Sequence, residues 1–223
     1  MTDQTAAVEW RDGSDVGGSV PISTRFDDPY FSFQDGPAET RHVFLDGNDL
    51  PARFAPGFHV AELGFGTGLN FLVTLQAWRD AKVPGRLLFT SFEAYPMARE
   101  DRARALAGFH GLPVEVLLDA DLPHVQGPDY ALTVIEGDAR DTLPAWDGRA
   151  NAWYLDGFSP AKNPQLWQPD LMAQVAAHTA PGGTVATYTA AGFVRRGLRD
   201  AGFAVERVSG FGRKRHMTRG VLS

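Results

Sequence analysis

The sequence predicts an α/β domain built on a mostly parallel sheet, and three observations carry that prediction. Short apolar runs alternate with stretches of helical periodicity from about residue 58 onward. The first of these runs turns into a helix through closely spaced glycines. The last two runs are separated by too few residues to hold a crossover helix.

Candidate strands occupy 59–64 (HVAELG), 86–93 (RLLFTSFE), 131–136 (ALTVIE), 152–156 (AWYLD) and 184–190 (TVATYTA), with two more near 204–209 and 215–222. Helices are expected over 68–81, 97–108, 167–179 and 192–201. Pro181-Gly182-Gly183 and Gly202 supply stop signals after the last two. Only Gly210 to Lys214 separate the final strands, so those two should be antiparallel. Five parallel strands and an antiparallel C-terminal hairpin make a seven-stranded sheet of the class I, Rossmann-like methyltransferase type. That domain is expected over 58–223. Residues 19–57 are rich in turns and aromatics and read as a β-hairpin extension, with 1–18 loosely ordered.

Composition narrows the chemistry. The chain has 223 residues, enough for one domain with a small extension, and 43% hydrophobic content is enough for a core. There is no cysteine, which removes disulfides, thiolate metal sites, iron–sulfur clusters and a cysteine nucleophile. The six histidines are scattered and fit no zinc spacing, so no metal is expected. A polar N-terminus and the lack of any run of about 18 apolar residues point to a soluble, cytoplasmic protein with no membrane partner. The net charge of −6 is unevenly spread. From Arg195 to Arg219 eight basic residues face two acidic ones, so that segment carries +6.

The string AELGFGTGLNF (61–71) runs from a strand through Gly64, Gly66 and Gly68 into a helix opening at Asn70. Glycines here allow positive φ and let a ligand approach the backbone. The G-x-G-x-G spacing departs from the dinucleotide fingerprint, whose third glycine comes one position later. Glu62, two residues before the first glycine, can receive the cationic amino group of an amino-acid moiety. S-adenosylmethionine has such a group and NAD lacks it. Glu93 ends the second strand, where a carboxylate suits ribose hydroxyls. Asp138 and Ala139 close the third, suited to the amino group and ring of adenine.

Asp156 ends the fourth strand and is followed by Gly157-Phe158-Ser159-Pro160. A carboxylate there would face the methyl donor, and the likeness to amine methyltransferases, which place a polar residue followed by proline and aromatic residues at this point, implies that an amine nucleophile can be held there. Whether it serves as a general base or only orients the amine stays open. A primary alkylamine has a pKa of about 10, so reaching its neutral form at pH 7 costs roughly 4 kcal/mol. Desolvation and a nearby sulfonium favour the neutral amine, whereas an ionised Asp156 favours the ammonium.

The strings ELGFGTGLNFL (62–72), LDGFSPAKNPQLW (155–167), AGFVRRGLRDAGF (191–203) and GFGRKRHM (210–217), with FDDPYFSFQDGPAETRHVFLDGNDL (26–50), resemble the methyltransferase half of the MnmC family. The resemblance implies S-adenosylmethionine as cofactor and the wobble uridine of a tRNA anticodon stem-loop as substrate. The reaction would convert 5-aminomethyl-(2-thio)uridine to 5-methylaminomethyl-(2-thio)uridine. The family's FAD-dependent oxidoreductase half has no counterpart before Ser223, so a stand-alone form is expected, linked functionally to a separate aminomethyl-forming enzyme.

On this reading Asp156 is the catalytic candidate. Glu62, Gly64, Gly66, Gly68, Asn70, Glu93, Asp138, Ala139 and Asp156 are cofactor candidates. Tyr30, Phe158 and Asn163 would shape the base pocket, with Arg41 and Lys162 nearby. Arg195, Arg196, Arg199, Arg213, Lys214 and Arg215 would meet phosphates. A class I methyltransferase for another amine, or a non-catalytic RNA-binding module on the same fold, are the alternatives.

Overall fold

Eleven strands form two sheets among the described residues, 5–13 and 18–223 of a computed structural model. The larger sheet contains β4 (His59–Leu63), β5 (Leu87–Glu93), β6 (His124–Gln126), β7 (Tyr130–Glu136), β8 (Ala150–Leu155), β9 (Thr179–Thr187), β10 (Phe203–Ser209) and β11 (His216–Leu222), ordered β10-β11-β9-β8-β4-β5-β7-β6. Five strands, β7, β5, β4, β8 and β9, run parallel. β10 pairs antiparallel with β11, and β11 with β9. All seven expected strands are present. The count of seven is one short, because β6 adds an antiparallel edge to β7. That strand is three residues long and mostly polar, and so carries no readable period.

The chain leaves β4 toward β5 and β7 on one side and reaches β8 and β9 on the other. The connections therefore diverge at the carboxyl ends of β4 and β8. Open α/β sheets form their ligand crevice at such a point.

The two faces bury separate cores. α2 (Leu69–Ala81) presses Phe71, Leu72, Leu75 and Trp78 onto one face. α6 (Pro169–Ala177) and α7 (Gly192–Asp200) cover the other through Leu171, Met172, Val194 and Leu198 around Trp153. Of the remaining helices, α3 (Arg99–Leu106) precedes the short α4 (Glu115–Leu118), and α5 (Ala139–Thr142) follows β7.

The N-terminal part differs from expectation in two ways. β1 (Val8–Gly13) pairs antiparallel with β2 (Gly18–Ser23), which pairs with β3 (Asp28–Pro29), so part of the stretch expected to be loose is a strand. Residues 1–4 and 14–17 of that stretch lie outside the described residues. Residues 36–48 are helical rather than β: α1 (Gly36–Thr40) leads into a π turn at Arg41–Leu45 and a 3-10 turn at Asp46–Asn48. The signal was present in the sequence. Asp35 caps the helix by accepting from the Ala38 amide at 2.8 Å, and Pro37 sits in the first turn. Val43, Phe44 and Leu45 then bury against the main core. Arg53 locks the extension down by donating to the carbonyls of Asn48 and Asn151, each at 3.0 Å.

Candidate functional site

The carboxyl ends of β4, β5, β7 and β8 open into a cavity of about 750 Å³, roofed by the segment around Arg25 to Gln34. Its floor is the glycine turn. Gly64 and Gly66 line it with φ of +90° and +55°. The Gly64 amide donates to the Phe92 carbonyl at 2.9 Å, and the Gly66 amide to Glu93 Oε2 at 3.0 Å. Gly68 also has positive φ but does not line the cavity. A Cβ there would stand 2.6 Å from Leu117 and 2.8 Å from Phe65, so packing beneath the helix start explains that glycine.

Asp156 lines the cavity beside this turn. Its Oδ1 accepts from the Gly157 amide at 2.8 Å and its Oδ2 from Asn70 Nδ2 at 2.7 Å. Asn70 Nδ2 also donates to Glu62 Oε1 at 2.8 Å, and Ser91 Oγ donates to Glu62 Oε2 at 2.7 Å. Thr40 Oγ1 donates to Asn70 Oδ1 at 2.7 Å. Burial pushes the Asp156 carboxyl up to about 6, against the pull of its two donors. Glu62 is raised well above the usual carboxylate range, by burial first and then by Asp156. Glu62 is fully buried and lies behind Asn70 rather than on the cavity wall. The structure thus does not bring Glu62 to the cavity wall, where the sequence placed it as a receiver of a ligand's amino group. Strand alternation places it so: Glu62 points into the α2 side of the sheet, where it accepts from Asn70 and Ser91.

Glu93 lines the cavity and accepts from the Gly66 and Tyr95 amides, the latter at 2.8 Å. Ala139 lines it too, as does Asp138. The Asp138 carboxylate caps α5 and is clamped by the Arg140 guanidinium, with its closest contact at 2.6 Å. Arg140 holds that carboxyl below its usual value. An adenine amino group would have to share Asp138 with Arg140, a cavity residue that no motif in the sequence singles out.

Aromatic side chains from the roof meet the loop after β8. Phe26 stacks on Phe158 with centroids 4.6 Å apart, and Tyr30 meets Phe158 edge-on at 5.2 Å. Arg25 lies 4.4 Å over the Tyr95 ring. Asn163 lines the cavity, whereas Lys162 does not. Lys162 is bonded to the Asp27 carbonyl and paired with Asp28 at 3.5 Å. Asp28 in turn accepts from the Ser159 amide at 2.8 Å, tying roof to wall.

The basic candidates separate into two groups. Arg213 and Lys214 line the cavity. Lys214 is bonded to Glu39 Oε1 at 2.8 Å and lies 4.2 Å over the Tyr188 ring. Its side chain stays half-exposed while paired with Glu39. Arg195, Arg196, Arg199, Arg215 and Arg41 stand outside the cavity. Desolvation, and after it the charges of Arg207, Arg215 and Arg195, hold the His216 imidazole below its usual value. Arg207 has no distinguishing signal in the sequence, where it is one charged residue on an edge-side strand.

Among the described residues no group of three or more His, Asp or Glu side chains could hold a metal ion. No helix among them is long and apolar enough to cross a membrane.

A family of S-adenosyl-L-methionine-dependent methyltransferases matches residues 117–223. The chain is 47% identical over 237 residues to the tRNA 5-methylaminomethyl-2-thiouridine biosynthesis bifunctional protein MnmC of Caulobacter sp. (strain K31), covering 96% of this chain and 38% of that protein. The chain matches the MnmC methyltransferase domain. The bifunctional MnmC of Stutzerimonas stutzeri (strain A1501) is 46% identical, over 98% of this chain and 35% of its own length. The chain thus spans little more than a third of these curated MnmC relatives. The crystal structure of MnmC2 from Aquifex aeolicus superposes with a TM-score of 0.79 at 27% identity, covering 98% of this chain and 71% of that one. These matches imply S-adenosylmethionine as the cofactor.

Proposed function

We propose that this chain methylates the 5-aminomethyl group on the wobble (2-thio)uridine of a tRNA, giving 5-methylaminomethyl-(2-thio)uridine. The observation that carries the proposal is a carboxylate, Asp156, at the end of β8 on the wall of a cavity whose floor is the glycine turn. The MnmC likeness supplies the substrate class.

The residues present fit S-adenosylmethionine. Gly64 and Gly66 present backbone without a Cβ, and a Cβ on Gly66 would reach within 3.2 Å of the Tyr30 ring of the roof. Glu93 keeps lone pairs for ribose hydroxyls after its two backbone bonds. Ala139 offers a flat apolar contact for adenine. When bound, the cofactor supplies an electrophilic methyl on sulfur.

The chain's own task is positioning. Asp156 would accept a hydrogen bond from the substrate amine and aim its lone pair. With its carboxyl near 6 against about 10 for the amine, it is too weak a base to hold the proton, which would pass on toward water. Phe26, Tyr30 and Phe158 would enclose the base, and Asn163 would meet its polar edge. A functional link to an aminomethyl-forming activity would supply the substrate group.

The direct test is to incubate the protein with S-adenosylmethionine and tRNA carrying the aminomethyl nucleoside, then digest and weigh the nucleosides. Gain of one methylene on the wobble nucleoside is expected. Cofactor binding without turnover would favour a non-catalytic module, and methylation of a different amine would overturn the substrate.

The outward arginines would meet the anticodon stem-loop backbone. Replacing Arg195, Arg207 and Arg215 with alanine should flatten the dependence of log affinity on log salt by about one unit per contact removed. S-adenosylmethionine affinity should stay unchanged. A titration of tRNA across several salt concentrations checks this, and an unaltered slope would place the RNA on another face.

A further inference from the structure

We propose that Asn70 is the positioning residue of the catalytic carboxylate, fixing Asp156 through its side-chain amide and tying it to Thr40 in the N-terminal extension. The proposal rests on the role just given to Asp156. It departs from the sequence expectation that Asn70 is a cofactor contact.

A primary amide has two N–H donors and one carbonyl acceptor. At Asn70, Nδ2 spends its donors on carboxylates from two different strands, Glu62 of β4 at 2.8 Å and Asp156 after β8 at 2.7 Å. The carbonyl accepts from the Thr40 hydroxyl at 2.7 Å. The side chain is buried, and no other orientation serves it. Flipping the amide would set Oδ1 against two acceptor carboxylates. The amide therefore has a single orientation, and so does whatever it holds. What it holds is one oxygen of Asp156, while the Gly157 amide holds the other at 2.8 Å. Two donors from different elements fix the plane of the carboxylate on the cavity wall.

The position is also electrostatically exacting. Asp156 is faced by Glu62 from β4, Glu39 from α1, Lys214 from the β10–β11 loop and Tyr188 beyond β9. Two of these are acids, so an aspartate at position 70 would crowd a third carboxylate between Glu62 and Asp156. A serine is too short to span both. Thr40 explains why the helical extension is needed at the site. Its hydroxyl selects the orientation of the amide from the opposite side to Asp156.

The experiment uses Asn70→Ala and Thr40→Val in the full chain. Three quantities are read: the Asp156 carboxyl titration by carbon-13 NMR, assigned with Asp156→Asn; S-adenosylmethionine affinity by calorimetry; and turnover on tRNA. In Asn70→Ala the Asp156 midpoint should rise by about one pH unit, since a donor to the charged form is lost. Turnover at saturating substrate should fall by about ten- to a hundred-fold, with cofactor affinity within a few-fold. Thr40→Val leaves the amide in place and should move both quantities in the same direction by less. If Asn70→Ala does not fold, as judged by circular dichroism, Thr40→Val decides alone. An unmoved midpoint, or weakened cofactor binding with normal saturated turnover, would overturn the proposal. The midpoint is read without turnover. A wild-type protein inactive on tRNA would therefore sink the functional reading, while the midpoint would still decide whether Asn70 positions Asp156.

Discussion

Replacing Asp156 with asparagine is expected to lower methyl transfer at saturating substrate by about a hundred- to ten-thousand-fold, with S-adenosylmethionine affinity within a few-fold. The side chain keeps its size but loses its charge, and one of its two acceptor oxygens becomes a donor, so the substrate amine loses the anionic acceptor that aims it. A pH signature should accompany the loss. In the cofactor-free protein the Asp156 carboxyl sits near 6, raised by burial. Wild-type kcat/KM, which reports the free enzyme, should therefore fall as pH drops through about 6, and the asparagine variant should lack that limb. Stability should move the other way. The folded value lies above the ordinary 3.8, so the fold disfavours the ionised form. Its contribution is fully present below 3.8 and is lost as pH rises through about 6, on the order of 3 kcal/mol. The variant escapes that loss and should melt no lower than wild type at pH 8. Full turnover in the variant would remove Asp156 from the mechanism.

What the sequence made legible was whatever depends on local pattern. The apolar runs located seven strands of the large sheet, and the five-residue gap before the last strand made the final pair antiparallel. The strand-end acids Glu93, Asp138 and Asp156 do converge on one cavity. What was not legible depended on direction within an element or on partners far away in the chain. Glu62 and Glu93 look alike as acids near strand ends, yet Glu62 lies deeper in its strand and faces Asn70 and Ser91. Lys214 sits in a basic run and was expected to meet phosphate. In the structure it is paired with Glu39, distant in sequence. Lys162 is captured in the same way by Asp27 and Asp28. The helical character of 36–48 was legible through Asp35 and Pro37, but the surrounding turn residues outweighed it.

Replacing Gly64 with valine is expected to have the largest effect on cofactor binding, because it combines two penalties at one atom. The first is conformational. Gly64 has φ of +90°, a region closed to β-branched residues at a cost of about 1–3 kcal/mol. The second is steric and falls on backbone. A Cβ would stand 3.1 Å from Gly157 Cα and 3.2 Å from Gly157 N, leaving no side-chain rotation to relieve it. Gly157 has φ of +115°, and its amide is a donor to Asp156, so a displaced Gly157 carries the carboxylate with it. The turn between β4 and α2 would shift at the same time, moving the Gly66 amide off Glu93. Affinity for S-adenosylmethionine should therefore fall by more than about a hundred-fold, together with a drop in melting temperature. Gly57→Val is the control. Gly57 has φ of +74° and nothing within 4 Å of its added Cβ, so it carries the strain without the collision. It should lower the melting temperature modestly and leave calorimetric affinity intact. If both variants bound the cofactor as wild type does, the cradle would not be at this turn, because the ligand would then be indifferent to the contact between Gly64 and Gly157 on which the geometry of the floor depends.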